Sequence, residues 1–242
     1  MQWLRSLLFT TLLFIDTFVF ALLVLMAVPF GLQARHRAAR AWARFNLWML
    51  KALCDLDYVV EGREHIPVDG AHISYWKHSS AWETLAQMLI FPPQCWVLKR
   101  EILWIPLIGW GVAAMRPIAI NRGAGHRAVN QVVEQGSRRL QEGLWILLFP
   151  EGTRTRSGEN RKYGLSGALL ASRSGAKLVP VAHDAGTYWG RRGLLKRPGT
   201  IRVVIGPAID TLGREPRVLN EEAKAWIDNT VARLGATGVQ GD

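Results

Sequence analysis

Trp145-Ile146-Leu147-Leu148-Phe149-Pro150-Glu151-Gly152-Thr153-Arg154 joins an unbroken apolar run to a polar turn. A short apolar run bounded by turn residues reads as a strand buried on both faces, the signature of a parallel sheet. The residues after it then sit at a strand's carboxyl end, where open α/β sheets collect ligands. Gly152 permits a tight backbone, Thr153 offers a hydroxyl, and Arg154 has the fork of donors that holds a phosphate through two parallel hydrogen bonds. Glu151 is placed to align Arg154 or a substrate hydroxyl. A solvated turn with a surface ion pair produces the same four letters, so the segment takes its meaning from its surroundings.

Working outward, similar short apolar or β-branched runs occur at 57–61, 72–76, 95–99, 116–120, 178–182 and 201–205. Helical periodicity fits 81–90, 127–142, 167–174 and 221–234. Alternation of this kind predicts an α/β fold, a mixed and mostly parallel sheet flanked by helices, over residues 56–242. The Gly/Arg-rich stretch 188–199 reads as a mobile loop.

Residues 1–55 have a different character. Between Arg5 and Arg35 the only charged residue is Asp16. A helix of that length is able to cross the roughly 30 Å hydrocarbon core, and the run exceeds the roughly 7–15 apolar residues of a signal peptide. A charge in mid-run is costly facing lipid, so Asp16 is protonated, faces another helix or lies near the interface. Residues 34–53 place Arg37, Arg40, Arg44 and Lys51 on one stripe, with Trp42, Phe45, Met49 and Leu53 largely opposite. This is the pattern of a helix lying in a membrane surface; an ordinary helix packed on the domain with a solvated basic face gives it too. We therefore expect an N-terminal two-helix membrane element.

Among the 242 residues Lys and Arg outnumber Asp and Glu by 30 to 19, which favours phosphate-rich partners. Eleven Trp residues tilt the choice toward a membrane, because indole seeks the headgroup level. No nucleic-acid recognition motif accompanies the basic residues, so nucleic acid is not an expected partner. Cys54 and Cys95 sit in apolar contexts without metal-ligand spacing. They read as reduced thiols in a cytosolic catalytic domain with no metal site.

His78-Ser79-Ser80-Ala81-Trp82-Glu83 supplies an imidazole and a carboxylate five positions apart. On a continuous helix that spacing separates them by about 140°. A histidine in the loop before a helix, with Ser80 as N-cap and Glu83 turning back, brings them together. The same residues also form a plain capping box that needs no chemistry. Lys99 closes one strand and Arg122 follows another, which puts both on the sheet rim, either at a site or as solvated charge.

The order Lys77-His78-Ser79-Ser80-Ala81-Trp82-Glu83, then Lys99-Arg100-Glu101 through Ile105-Pro106 to Gly109-Trp110-Gly111, then Ile118-Ala119-Ile120-Asn121-Arg122, then Phe149 to Arg154 and Val179-Pro180-Val181 resembles a known family. That family is the bacterial 1-acyl-sn-glycerol-3-phosphate acyltransferases, the lysophosphatidate acyltransferases of the glycerolipid acyltransferase superfamily. The resemblance implies transfer of a fatty acyl group from acyl carrier protein or coenzyme A thioester to the free hydroxyl of 1-acyl-sn-glycerol-3-phosphate, forming phosphatidate, without a cofactor. It implies that His78 is the general base and Glu83 its orienting carboxylate. Lys99, Arg122 and Arg154 bind phosphate or stabilise the oxyanion, Glu151, Gly152 and Thr153 shape the acceptor site, and Val179 to Val181 line the acyl pocket. It further implies a bacterial inner-membrane protein with its catalytic domain on the cytoplasmic side.

Two positions depart from the family pattern. Glu83 replaces the usual aspartate, and Asn121 stands where an aspartate often precedes the arginine. The second departure leaves open another lysolipid acceptor, such as a lyso-aminolipid or a lipid A precursor. A non-catalytic membrane lipid-binding protein is the reading from outside the enzymes.

Overall fold

The computed structural model describes residues 1–156, 159 and 161–238, the side chains of 122, 237 and 238 excepted. Seven strands form one sheet: β1 (Leu56–Glu61), β2 (Ile73–Trp76), β3 (Gln94–Lys99), β4 (Ile118–Ile120), β5 (Trp145–Leu148), β6 (Leu178–His183) and β7 (Gly199–Ile205). Their order is β1-β7-β6-β2-β5-β3-β4. Neighbours from β6 to β4 run parallel, β1 pairs with β7 in parallel, and β7 runs antiparallel to β6. All seven apolar runs are strands, and the sheet is mixed and mostly parallel.

Both faces of the sheet are covered, which is why β2, β5 and β6 are buried at every position. Side chains alternate between two cores, since successive residues of a strand point to opposite faces. Trp145 and Leu147 join Trp76 and Trp82 on one face, while Ile146 and Leu148 join Ile73 and Tyr75 on the other. Helices α5 (His126–Gln141), α6 (Ser166–Ser174) and α8 (Pro216–Gly238) close the second face. In α8, Leu219, Ala223, Ile227 and Leu234 recur at helical spacing and are buried. The first face carries α3 (Glu83–Ile90), α4 (Ile108–Ala114) and the two N-terminal helices, α1 (Gln2–Met26) and α2 (Gly31–Cys54). A short helix, α7 (Ala185–Tyr188), follows β6.

The N-terminal helices are packed onto the domain. Phe9, Leu47, Met49, Leu50 and Cys54 share the core that holds Trp76 and Trp82. Asp16 faces α2, where its Oδ1 accepts hydrogen bonds from Trp42 Nε1 at 2.8 Å and Asn46 Nδ2 at 3.0 Å. Of the alternatives for this carboxylate, the contact with another helix is realised. The rest of α1 is apolar and open to the surroundings: Phe14, Phe18 and Leu22 are exposed. This helix of 25 residues, with a mean hydropathy of 2.4, is long and apolar enough to cross a membrane.

Helix α2 is packed on the domain along part of its apolar stripe: Met49 is buried, Trp42 is tied to Asp16, and Arg40 donates to the carbonyl of Phe91 at 3.1 Å, while Phe45 and Trp48 stay exposed. One expectation needs correction. The segment 188–199 is pinned rather than mobile. Lys196 is buried against α1, with its ammonium 5.2 Å from the Phe9 ring centroid, 4.6 Å from that of Trp189 and 2.8 Å from the carbonyl oxygen of Leu194. Burial pushes its pKa down to about 8.

Candidate active site

Four parallel neighbours, β2, β5, β3 and β4, end on the same edge of the sheet. The residues that follow them in the chain are, in that lateral order, His78, the turn to Arg154, Lys99 and Arg122. Adjacent strands lie about 4.8 Å apart, so the sheet itself brings together groups far apart in sequence.

His78 leaves the end of β2 in a loop, and its Nδ1 lies 2.8 Å from Glu83 Oε1. Glu83 is the first residue of α3 and is fully buried. Its carboxylate turns back over the helix start, accepting from the backbone N–H of Ser79 at 3.1 Å and of Ser80 at 3.0 Å. The expected cap is corrected: the helix starts after Trp82, which makes no side-chain cap hydrogen bond, and Ser80 Oγ instead accepts from the Trp82 N–H at 3.1 Å, while the Glu83 carboxylate ties the loop before the helix to the imidazole. The longer glutamate reaches His78 without difficulty. Burial acts to raise the Glu83 pKa, but the hydrogen bond from His78 and the nearby imidazoles hold it below the ordinary glutamate value. A carboxylate on Nδ1 fixes Nδ1–H as donor and leaves Nε2 with a free lone pair. The imidazole stacks on Phe149, with centroids 3.9 Å apart and planes at 19°.

Residues 77 and 78 are clamped from both flanks. On one side the Lys77 N–H donates to Val181 at 3.0 Å and the Lys77 carbonyl lies 2.9 Å from His183 Nε2. On the other, the His78 carbonyl accepts from the N–H of Thr155 at 2.8 Å and from its hydroxyl at 3.1 Å. Lys77 Nζ reaches across to Glu151 Oε1 at 2.6 Å, and the single hydroxyl proton of Thr155 is shared between the His78 carbonyl and Glu151 Oε2, 3.0 Å away. Both ends of this ion pair are buried, with side-chain exposures of 7% and 1%. Glu151 thus neutralises Lys77 and makes no ion pair with Arg154.

His183, Lys77 and Thr155 were not legible as functional residues. His183 is buried between the rings of Trp76 and Trp82. Its Nδ1 accepts from the Ala185 N–H at 3.3 Å, so Nε2 carries the proton and donates to Lys77. Burial lowers its pKa and keeps it neutral, although Glu83 Oε2 lies 4.0 Å away. Spacing gives no hint of it, because β6 meets β2 only in the folded sheet.

A cavity of about 380 Å³ opens beside this assembly, lined by His78, Phe149 and Arg154. Thr17, Thr84 and Gln87 add polar groups to a wall that is otherwise apolar: Phe20, Ala21 and Val24 of α1, Trp42 of α2, Met88 of α3, Val97 and Leu98 of β3, and Val112 of α4. The volume lies in the range of small-molecule and acyl-chain sites. Arg154 has no carboxylate partner among the described residues, and its Nε is buried without a hydrogen-bond acceptor. Gly152 turns the chain toward it with φ +70°, a region that disfavours other side chains. Thr153, half-buried, lies in the same turn.

The other sequence candidates fall elsewhere. Lys99 ends β3 with its side chain 52% exposed, 3.6 Å from Glu101, and does not line the cavity. Arg122 opens a short turn (Arg122–Ala124), and its side chain lies outside the described residues. Val179 and Val181 are buried in the core and do not form the cavity wall. Asn121 Oδ1 accepts from the Gly123 N–H at 3.1 Å, a capping role that an amide fills as well as a carboxylate. That departure therefore says nothing about the acceptor. No cluster of potential metal ligands occurs among the described residues.

An imidazole braced by a buried carboxylate, a free guanidinium and an apolar cavity on an α/β rim define a class, and residues 57–184 match the acyltransferase family model. The chain belongs to the acyltransferase family. It is 40% identical, over 96% of its length and 92% of the other's, to the 1-acyl-sn-glycerol-3-phosphate acyltransferase of Pseudomonas aeruginosa. It is 26% identical to the enzyme of the same name from Borreliella burgdorferi, over 72% of this chain and 68% of that one. The fold matches the crystal structure of the 1-acyl-sn-glycerophosphate acyltransferase from Thermotoga maritima with a TM-score of 0.80, over 98% of each chain at 20% identity.

Proposed function

We propose that this protein transfers an acyl group from a thioester to the free hydroxyl of 1-acyl-sn-glycerol-3-phosphate at a membrane surface, yielding phosphatidate. The observation that carries this reading is the shared cavity: Nε2 of His78 and the unpartnered guanidinium of Arg154 border one apolar chamber. The acceptor's phosphate meets Arg154, and the chamber takes acyl chain. The acceptor hydroxyl gives its proton to His78 Nε2 as its oxygen attacks the thioester carbonyl. The buried Glu83 carboxylate stabilises the imidazolium so formed, which then protonates the leaving thiolate as the tetrahedral intermediate collapses. Positioned proton transfer of this kind contributes typically about 10²–10⁴ in rate. The reaction requires no acylated side chain and no cofactor; acyl carrier protein or coenzyme A delivers the thioester. Reduced, buried Cys54 and Cys95 fit a catalytic domain on the cytoplasmic side of a bacterial inner membrane.

The name borne by the Pseudomonas relative, over nearly the whole chain, supports the phosphorylated acceptor over other lysolipids. The test is the Michaelis constant of Arg154→Ala for lysophosphatidate against that for a monoacylglycerol, which lacks the phosphate. A charge-assisted bidentate contact predicts a rise of roughly tenfold or more for lysophosphatidate alone. Equal effects on both acceptors would reject the phosphate contact.

A further inference from the structure

The segment between β3 and β4 contains an uncharged run, residues 102–115, made up of apolar, Gly and Pro residues. Such a run normally belongs in a core, yet here much of it is outside. Trp104 is 66% exposed, Trp110 56% and Ile105 45%. The run folds as the end of a 3₁₀ turn (Arg100–Trp104) and the seven-residue α4, too short to cross a bilayer but of the length found in segments that dip into one face of it.

Its position connects it to α1. Gly111 of α4 abuts Ala21 so closely that a Cβ at 111 would stand 3.2 Å from the Ala21 Cα. The two helices pack against each other and together wall the cavity, through Ala21 and Val24 on one and Gly111 and Val112 on the other. Phe18 and Leu22 on α1, and Trp104 and Trp110 on the second segment, are exposed. The apolar surface of the membrane helix thus continues across the contact between α1 and α4 onto the second segment. Cations stand at the segment's ends. Arg100 lies 5.8 Å over the Trp104 ring, with Lys99 before it and Arg116 after it. Tryptophan beside such cations is the arrangement that seats a protein at the headgroup level of a bilayer.

We infer that residues 100–114 form a second membrane-inserted element beside α1, so that the apolar wall the two build around the cavity is seated in the bilayer that holds the acceptor. The inference rests on the reading of α1 as the membrane-facing helix, and the experiment separates the two. Cys54 and Cys95 are fully buried, which confines a nitroxide label to an introduced thiol. Trp104→Cys, Trp110→Cys, Leu22→Cys on α1 and Arg217→Cys on α8 are labelled singly. Each is reconstituted in vesicles of phosphatidylethanolamine with a minority of phosphatidylglycerol. Power-saturation spectra then compare collisions with oxygen, which concentrates in lipid, and with a water-soluble nickel chelate.

Labels at 104 and 110 should show an oxygen-to-nickel ratio several-fold above that at 217 and similar to that at 22. A high ratio at 22 with the value of 217 at both 104 and 110 would overturn the second element while leaving α1 in the membrane. Low ratios at all positions would overturn it together with the reading of α1. A functional check uses Trp104→Glu combined with Trp110→Glu. The inference expects the Michaelis constant to rise several-fold for a long-chain acceptor embedded in vesicles, and to stay unchanged for a short-chain acceptor dissolved as monomers. A rise of the same size for both acceptors would refute a role for this segment in reaching acceptor held in the bilayer.

Discussion

Replacing Lys77 by Met should destabilise the protein far more than its distance from the cavity suggests. The ammonium lies 2.6 Å from Glu151 Oε1 and both groups are nearly inaccessible to water. At an effective dielectric constant near 20, two unit charges at that separation attract by about 6 kcal/mol. Desolvation offsets much of this, so the pair as a whole contributes little, but removing one partner strands a buried charge at a cost of about 3–5 kcal/mol. In a chain of this size each kcal/mol lowers the melting temperature by about 2–4 °C, which predicts a fall of roughly 6–20 °C for Lys77→Met. Removing the stranded charge as well, in Lys77→Met with Glu151→Gln, should recover most of the loss, because the Thr155 hydroxyl can still donate to the amide oxygen. The assay is thermal unfolding of the purified protein in detergent, followed by tryptophan fluorescence, for both single variants and the double. A loss under about 1 kcal/mol for Lys77→Met, or additive losses in the double variant, would refute the buried-pair argument.

Further outcomes follow from the same geometry. Glu83→Gln keeps an acceptor for the helix start but removes the charge facing the imidazolium. A charge-assisted hydrogen bond of about 1.5–3 kcal/mol predicts a kcat lower by roughly 10- to 150-fold, read in a thioester-release assay. Stability should also depend on pH through His183. Burial places its folded pKa below the unfolded value near 6.5, so its contribution is complete above that pH. As pH falls below about 6.5 the unfolded chain takes up a proton that the folded one does not, and stability declines by up to about 1.4 kcal/mol per unit. Comparing the melting temperature at pH of about 7.5 and 5.5 should show this decline in the wild type and a smaller one in His183→Gln.

The strands were legible because each is a short apolar run closed by turn residues, and a sheet covered on both faces demands that pattern. Helices α4 and α7 were not. Both are brief, and α4 contains two glycines that serve close packing against α1 and the preceding turn rather than helix formation. Within the site, His78 and Glu83 were readable because their contact is local, made across a helix start. The ion pair of Lys77 and Glu151 was not, since 74 positions separate them and only the adjacency of β2 and β5 creates it. Lys99 illustrates the opposite failure. Its strand was identified, yet only its Cα is fixed by the rim, and the side chain turns to Glu101 and solvent. The pinning of Lys196 against Phe9 and Trp189 likewise depends on α1 returning to the end of the domain, which composition does not reveal.

The most direct measurement is mass spectrometry of the lipid formed when purified protein, reconstituted in vesicles, is given lysophosphatidate and an acyl thioester, with His78→Ala run in parallel. The wild type should produce phosphatidate. The variant, melting within a few degrees of it, should lose about 10²-fold or more of the rate. Phosphatidate formed equally fast by a folded His78→Ala protein would contradict the assignment of His78 as the base, and none formed by the wild type would contradict the proposed reaction.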